Sequence, residues 1–316
     1  MHIVDQVLRR KEFEQRPPVL IDIGASGAIH SRWKAIAPYS VCITFDPDTR
    51  EYAYVEQEHK HYKKLYTMHC GVGDEDQASR TFYLTRSPYC SSFLKPNAEK
   101  LKPYAFARKY MIEREVSYEI KTIKSVLREL NIAYIDWFKA DSQGLDLHIF
   151  SALGDKLIKG IIAAELEPGI MDTYDGEDKL HHILSFMEKY PFFLSELHVK
   201  GISRISPEHI DEITRNSIFK RLIAASHKKN AGWVEMLYLN TFDEDDVREI
   251  RDYMLGIVIA LLNEEYGFAL ELSRKAKLHF NDAIFNDLER FAIKKIKSNV
   301  IHLRFIDELK KKFLHK

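Results

Sequence analysis

Cysteine is nearly absent from this chain: Cys42, Cys70 and Cys90 lie far apart, with no CxxC pair and no zinc-site histidine spacing. A disulfide framework and a structural zinc are therefore not expected, and a reducing cytoplasm fits best. Net charge is absent as well. Lys plus Arg and Asp plus Glu both number 47, so no global field draws the chain to nucleic acid or anionic lipid. Long apolar runs are missing: the longest, Tyr253–Leu262, is interrupted by Gly256 and reaches about half the length a bilayer span needs. Met1–Glu14 carries Asp5, Arg9, Arg10, Lys11 and Glu12, which excludes the apolar stretch of a signal peptide. Proline stops at Pro207, and beyond Thr241 the only glycines are Gly256 and Gly267, a shift that predicts an all-helical segment.

What is present suits a core-forming chain: 45% hydrophobic and 30% charged residues. Ile3, Val4, Val7 and Leu8 recur at helical spacing and predict an N-terminal helix within residues 1–16. After Pro17-Pro18, apolar runs stop at glycine or aspartate: 19–24, 41–45, 64–72, 134–140 and 160–166. Such runs are expected of strands buried on both faces. Residues 31–39, 49–58, 123–130 and 180–187 are expected as helices. Residues 80–85 are expected to pair with the third run, and 191–197 with 233–239. The alternation predicts a doubly wound, mainly parallel α/β sheet over residues 17–240. A separate bundle of three or four helices is expected over 241–316, its apolar positions including Val247, Ile250, Met254, Ile257 and Leu261. With balanced charge, that tail suits a second copy or a protein partner rather than nucleic acid.

The sharpest motif is DIGASGAIHSRW, Asp22–Trp33, directly after the first predicted strand. Glycines at a strand's carboxyl end let a ligand approach the backbone, with Gly24, Ser26 and Gly27 as candidate contacts. The third glycine of a dinucleotide fingerprint is missing, its position falling on His30. Asp22 places an anion before the turn, which is poor for a pyrophosphate but good for the amino group and sulfonium of S-adenosyl-L-methionine (SAM). Asp46 ends the second strand, where a carboxylate accepts hydrogen bonds from ribose hydroxyls. Gly71, Gly73 and Asp74 end the third, where an adenine edge lies in such folds. Asp141, Glu165 and Glu167 fall at the ends of later strands and are candidate general bases, as is His30. Asp141 with a second carboxylate is also a candidate site for a divalent ion. Lys139 reads as a sheet residue snorkelling at an edge.

Taken in order, DIGASGAIHSRW, FDPD (45–48), CGVGDED (70–76), YLT (83–85), Ser91-Ser92 and WFKADSQGLDLHIF (137–150) resemble the FkbM-type SAM-dependent methyltransferases. The last motif carries Lys139, Asp141, Gly144 and Asp146, with Asp146 where the family shows Glu, and Asp46 likewise replaces a usual Glu; Ala28 stands where a second small glycine is common. The resemblance implies a Rossmann-like sheet and methyl transfer to a hydroxyl of a sugar, glycan or related small molecule. The competing expectation is a catalytically inactive methyltransferase-like module that acts through its helical tail; against it stand the intact Asp22, Gly24, Asp46 and Asp141. An NAD-dependent oxidoreductase is disfavoured by the missing glycine.

Overall fold

A computed structural model describes residues 2–24, 30–48, 50, 61–243 and 248–314. The chain divides into two compact units. One is α/β and comprises residues 19–29 and 40–241; the other is helical and comprises 1–18, 30–39 and 242–316.

In the α/β unit, β1 (Val19–Ile23), β2 (Val41–Phe45) and β3 (Lys64–Met68) are parallel neighbours. The chain then makes β4 (Gly71–Val72), β5 (Gln77–Thr85) and β6 (Ile112–Lys121), a separate three-stranded sheet in the order β4-β6-β5. It returns to the other side of β1 with β7 (Trp137–Ala140) and β8 (Ala163–Leu166), both parallel. β10 (Lys229–Asn240) and β9 (Phe192–Ser203) complete a seven-stranded sheet in the order β3-β2-β1-β7-β8-β10-β9, β10 running antiparallel to both its neighbours. The order reverses between β1 and β7, which opens a crevice at their carboxyl ends. The apolar runs are buried as their lack of alternation implies: Leu20, Ile21, Ile43, Phe138, Ala163 and Ala164 are fully enclosed.

Two expectations about this unit need correction. The third run is two strands in two sheets, because the chain turns at His69-Cys70 between β3 and β4. Residues 80–85 pair with β6 and not with that run; β5 and β6 form a long antiparallel pair from Gln77↔Ile120 to Thr85↔Ile112. Residues 191–197 and 233–239 pair as expected, as part of a longer β9–β10 ladder from Phe192↔Asn240 to Ser203↔Lys229, with helices Pro207–Ile213 and Ser217–Ser226 between the two strands. The expected helix 49–58 lies, except for Arg50, outside the described residues. Residues 31–39 form two 3-10 turns, Ser31–Trp33 and Ala37–Tyr39.

The helical unit is not built from the tail alone. Helices Ile250–Leu262, Tyr266–His279 and Ile284–Leu314 cluster with the N-terminal helices His2–Leu8 and Lys11–Gln15. Val7, Leu8, Phe13, Trp33 and Ile36 from the first part of the chain are buried in it. Polar ties reinforce this: Arg10 Nη2 to Asp282 Oδ2 at 2.5 Å and Arg32 Nη1 to Asn263 Oδ1 at 3.0 Å. Helix Ile250–Leu262 is buried on nearly every side, which marks it as the centre of its unit. Gly256 is required there, since a Cβ would lie 2.5 Å from the Phe242 ring. Arg251, fully buried, donates to Arg16 O (3.0 Å), Pro17 O (3.1 Å) and Asp252 Oδ1 (3.1 Å). The expected division at residues 16 and 240 therefore separates segments that share one core.

Candidate active site

At the β1–β7 crevice the two strand ends almost touch. Gly24 has φ +76°, and a Cβ there would sit 2.2 Å from Asp141 O, so no other residue fits this turn without movement. Asp141 N–H donates to Ile23 O at 3.0 Å, and Gly24 N–H to Phe45 O at 2.9 Å, which locks three strand ends together.

Two cavities open from this point. A narrow slot of about 70 Å³ runs between Gly24, Asp46, Pro47 and Asp48 on one side and Phe82, Phe93, Leu145 and Ile149 on the other. A second cavity of about 740 Å³ is walled by Tyr110, Tyr174 and Trp233, with Glu167, Glu177 and Glu235 among its polar groups. Tyr89, Asp141 and Gln143 line both, so the two spaces meet at these three side chains.

The electrostatics of the junction are uncommon. Asp46 is 7% exposed, and among the described residues its donor is Asp48 N–H, at 2.8 Å. Burial first, then repulsion from Asp48, Asp141 and Asp22, pushes its carboxyl up to about 7. Burial also raises Asp141, against the opposing charge of Lys139 and a 2.5 Å bond from Gln143 Nε2. Glu167 is raised by burial and by Asp141. Asp146, fully enclosed, is raised to about 6, again mainly by burial. Its carboxylate accepts from Ser142 N–H (2.9 Å), from the Ser142 hydroxyl and from Glu167 N–H (2.7 Å), so it clamps the ends of β7 and β8 together.

The candidate residues named from the sequence divide between the slot, the larger cavity and positions that line neither. Gly24, Asp46 and Asp141 line the slot, and Glu167 lines the larger cavity. Asp22 lines neither. It stands beside Lys139 in the β1–β7 register, and Lys139 Nζ donates to it at 2.9 Å. Lys139 is accordingly no edge residue: it lies in a central strand, and although burial opposes its charge, Asp22 and Asp141 hold it protonated. Glu165 accepts from the Trp137 indole at 2.7 Å and lines neither cavity. Asp74 is exposed beside a different hollow, with Gly73. Gly71 serves packing, because a Cβ would lie 2.3 Å from the Phe93 ring that faces the slot. His30 belongs to the helical unit, its ring edge-on to Trp33 at 5.7 Å. Ser26 and Gly27 fall outside the described residues, as does Ala28.

Gln143 was missed as a functional candidate, although it lies inside the Asp141–Asp146 signature. It adopts φ +57°, a left-handed conformation costly for a side chain-bearing residue. The cost is met by a network: Gln143 Oε1 accepts from Tyr174 Oη (2.9 Å), and Gln143 O from Ser92 Oγ (2.8 Å). Ser91 Oγ accepts from Thr85 N–H and from Arg50, which also holds Asp48. The Ser91-Ser92 pair thus braces the junction and the Asp46–Asp48 corner.

A family model, the methyltransferase FkbM domain, matches residues 34–194. The chain belongs to this FkbM methyltransferase family. No curated protein matches it. The FkbM match takes in β2 through β8 and ends within β9, so the β1 turn and the helices between β9 and β10 lie outside it. No helix of the described residues is long and apolar enough to cross a membrane. Among those residues, no group of three or more His, Cys, Asp or Glu side chains is arranged to hold a metal ion.

Proposed function

We propose that this FkbM-family protein is a SAM-dependent O-methyltransferase with a sugar, glycan or related hydroxylated small molecule as acceptor, working in a reducing cytoplasm that its three buried free thiols suit. The observation that carries the proposal is the meeting of a narrow slot and a roomy cavity at Asp141, Gln143 and Tyr89. The lining of the slot offers the contacts that part of a nucleoside would use. Asp46 presents a buried carboxylate whose donor among the described residues is Asp48 N–H, suited to a pair of ribose hydroxyls, and Phe82 and Phe93 supply an apolar wall for a base. When bound, SAM supplies an already activated methyl group for the acceptor oxygen.

The protein's own task is orientation and proton removal. Asp141, at the boundary, is the base: burial raises its proton affinity, and Gln143 fixes its direction. Lys139 keeps a positive charge beneath it and offsets the negative charge left when the proton is elsewhere. Glu167 shares that field, and the bond from its N–H to Asp146 holds its position. Aromatic walls with carboxylates between them suit the apolar faces and hydroxyl edges of a sugar.

Calorimetric titration with SAM, its demethylated product and NAD tests the cofactor, and labelled methyl transfer to a panel of sugars tests the reaction. Asp141→Asn should leave SAM affinity nearly unchanged and cut turnover by roughly 10²–10⁴-fold. Preference for NAD, or full turnover in that variant, would sink the assignment. Tight SAM binding with no transfer to any hydroxylated acceptor would favour a binding module instead.

A further inference from the structure

Between Ile213 and Val234 the chain carries Arg215, Lys220, Arg221, Lys228 and Lys229 and not one Asp or Glu, in a protein whose charges cancel only over its whole length. The same stretch exposes large apolar side chains: Ile213 (60%), Ile218 (68%), Phe219 (54%) and Leu222 (56%). Single exposed apolar residues are ordinary, but four in ten positions, interleaved with cations, are not.

Ile218 and Leu222 are one helical turn apart and Phe219 adjoins both, so the three share one side of helix Ser217–Ser226. The other side is fastened down. Ile223 is buried, Ala224 O accepts from Ser203 Oγ at 2.6 Å, and Lys220 Nζ pairs with Asp211 at 2.5 Å. The helix is also pre-formed, since the Asn216 side chain accepts from Ile218 N–H and Phe219 N–H. Arg215 and Lys228 are exposed at its two ends. An apolar stripe bordered by cations on a docked, capped helix is the pattern of an interfacial membrane helix.

We propose that this face docks the protein onto an anionic bilayer surface, with Ile218, Phe219 and Leu222 entering the headgroup boundary and Arg215, Arg221 and Lys228 meeting lipid phosphates. Charge selects this occupant. A second copy docked face to face would set each cluster of cations against its twin, with no acid in the stretch to relieve the repulsion. Each cation near an anionic leaflet, by contrast, adds to binding. Arg221, Ala224, Ala225 and Lys229 also line the 740 Å³ cavity, so that cavity opens beside the docking face. Given the methyl-transfer function proposed above, the acceptor is then the headgroup of a membrane-borne amphiphile.

The test is flotation of the full chain with phosphatidylcholine vesicles, with and without phosphatidylglycerol. Binding is expected only, or about tenfold more strongly, with the anionic lipid, and should weaken as salt rises. Ile218→Ser with Phe219→Ser and Leu222→Ser should lower the partition by about tenfold or more without lowering the melting temperature. Arg215→Glu with Lys228→Glu should erase the preference for anionic lipid, and a Phe219→Trp probe should shift its emission to the blue on vesicle addition. If the folded protein ignores every vesicle, or the triple serine variant binds as well as the parent, the proposal falls; the first result would assign the face to a protein partner. SAM titration of the same samples is independent of lipid, so failure of docking and failure of the methyl-transfer function are told apart.

Discussion

Buried charge in the helical unit differs from the buried charge at the strand ends of the α/β unit. In the helical unit the charged side chains buried among the described residues are Arg251 and Asp252, and both are surrounded by partners. Arg251 meets two backbone carbonyls and Asp252, and Asp252 also lies 3.5 Å from Arg16. At the strand ends of the α/β unit, Asp46, Asp141, Asp146 and Glu167 gather, with Lys139 the cation that opposes the charge on Asp141 and Glu167. All four carboxyls are raised by burial. A fully partnered buried charge fixes architecture. Asp146, with three donors, belongs to the architecture, whereas Asp46, with one donor among the described residues, is a cost to the fold, sustained where a ligand supplies what the protein withholds.

The largest effect expected from this contrast lies in the helical unit. Arg251→Ala takes one donor from the Asp252 carboxylate and one each from the carbonyls of Arg16 and Pro17, at a cost of about 3–5 kcal/mol in urea denaturation. A chain ending at Asn240 should fare worse, because Val7, Leu8, Phe13 and Trp33 lose their shared core, and insoluble protein is expected. A soluble, cooperatively melting truncation would show that the N-terminal helices do not depend on the tail.

Gly24→Ala comes next and probes the strand-end junction. A methyl placed 2.2 Å from Asp141 O, at φ +76°, forces the β1 and β7 ends apart. We expect a loss of roughly 2–4 kcal/mol in stability, from overpacking plus the left-handed backbone. SAM affinity should fall with it, since Gly24 and Asp141 both line the slot. Unchanged affinity in a destabilised protein would remove Gly24 from the cofactor site and leave it a packing residue.

Much of the sheet was legible because buried parallel strands read as uninterrupted apolar runs, and Gly24, Asp46 and Asp141 follow such runs directly. Side-chain partnership was not legible. Asp22 looks like a ligand in sequence, yet its neighbour across the ladder is Lys139, far away in the chain, and only strand register reveals the pair. Asp74 resembles a site residue by motif, but β4 joins the small sheet and carries the following turn to solvent. The shared core of the two chain ends was hidden for a related reason. Helical periodicity tells which face of a helix is apolar and nothing about which distant helix covers it. The local cluster of cations at 215–229 was masked by the balance of the whole.

The smallest effect is the most discriminating, because stability and SAM affinity should respond to pH in opposite directions. Asp46 is raised from 3.8 to about 7, so the folded protein keeps a proton that the unfolded chain has released between those values. Its contribution to stability is therefore present below about pH 4 and is lost as pH rises through about 7. Asp46→Asn removes that penalty. It should stabilise the free protein by about 1–2 kcal/mol at pH 8, a value below the full shift because buried sites relax, and do little at pH 4. SAM binding should move the other way. Ribose hydroxyls donate to the ionised carboxylate, so parent affinity should climb by up to about tenfold per pH unit below 7 and then level off. The Asn variant should bind more weakly along a flatter curve. Asp146, raised to about 6, adds a background that both proteins share, which makes the difference between the two curves the quantity to read. Parallel curves for parent and variant, in melting or in SAM titration, would mean that Asp46 keeps its ordinary acidity and that the under-partnered carboxylate is not where the cofactor site stores its free energy.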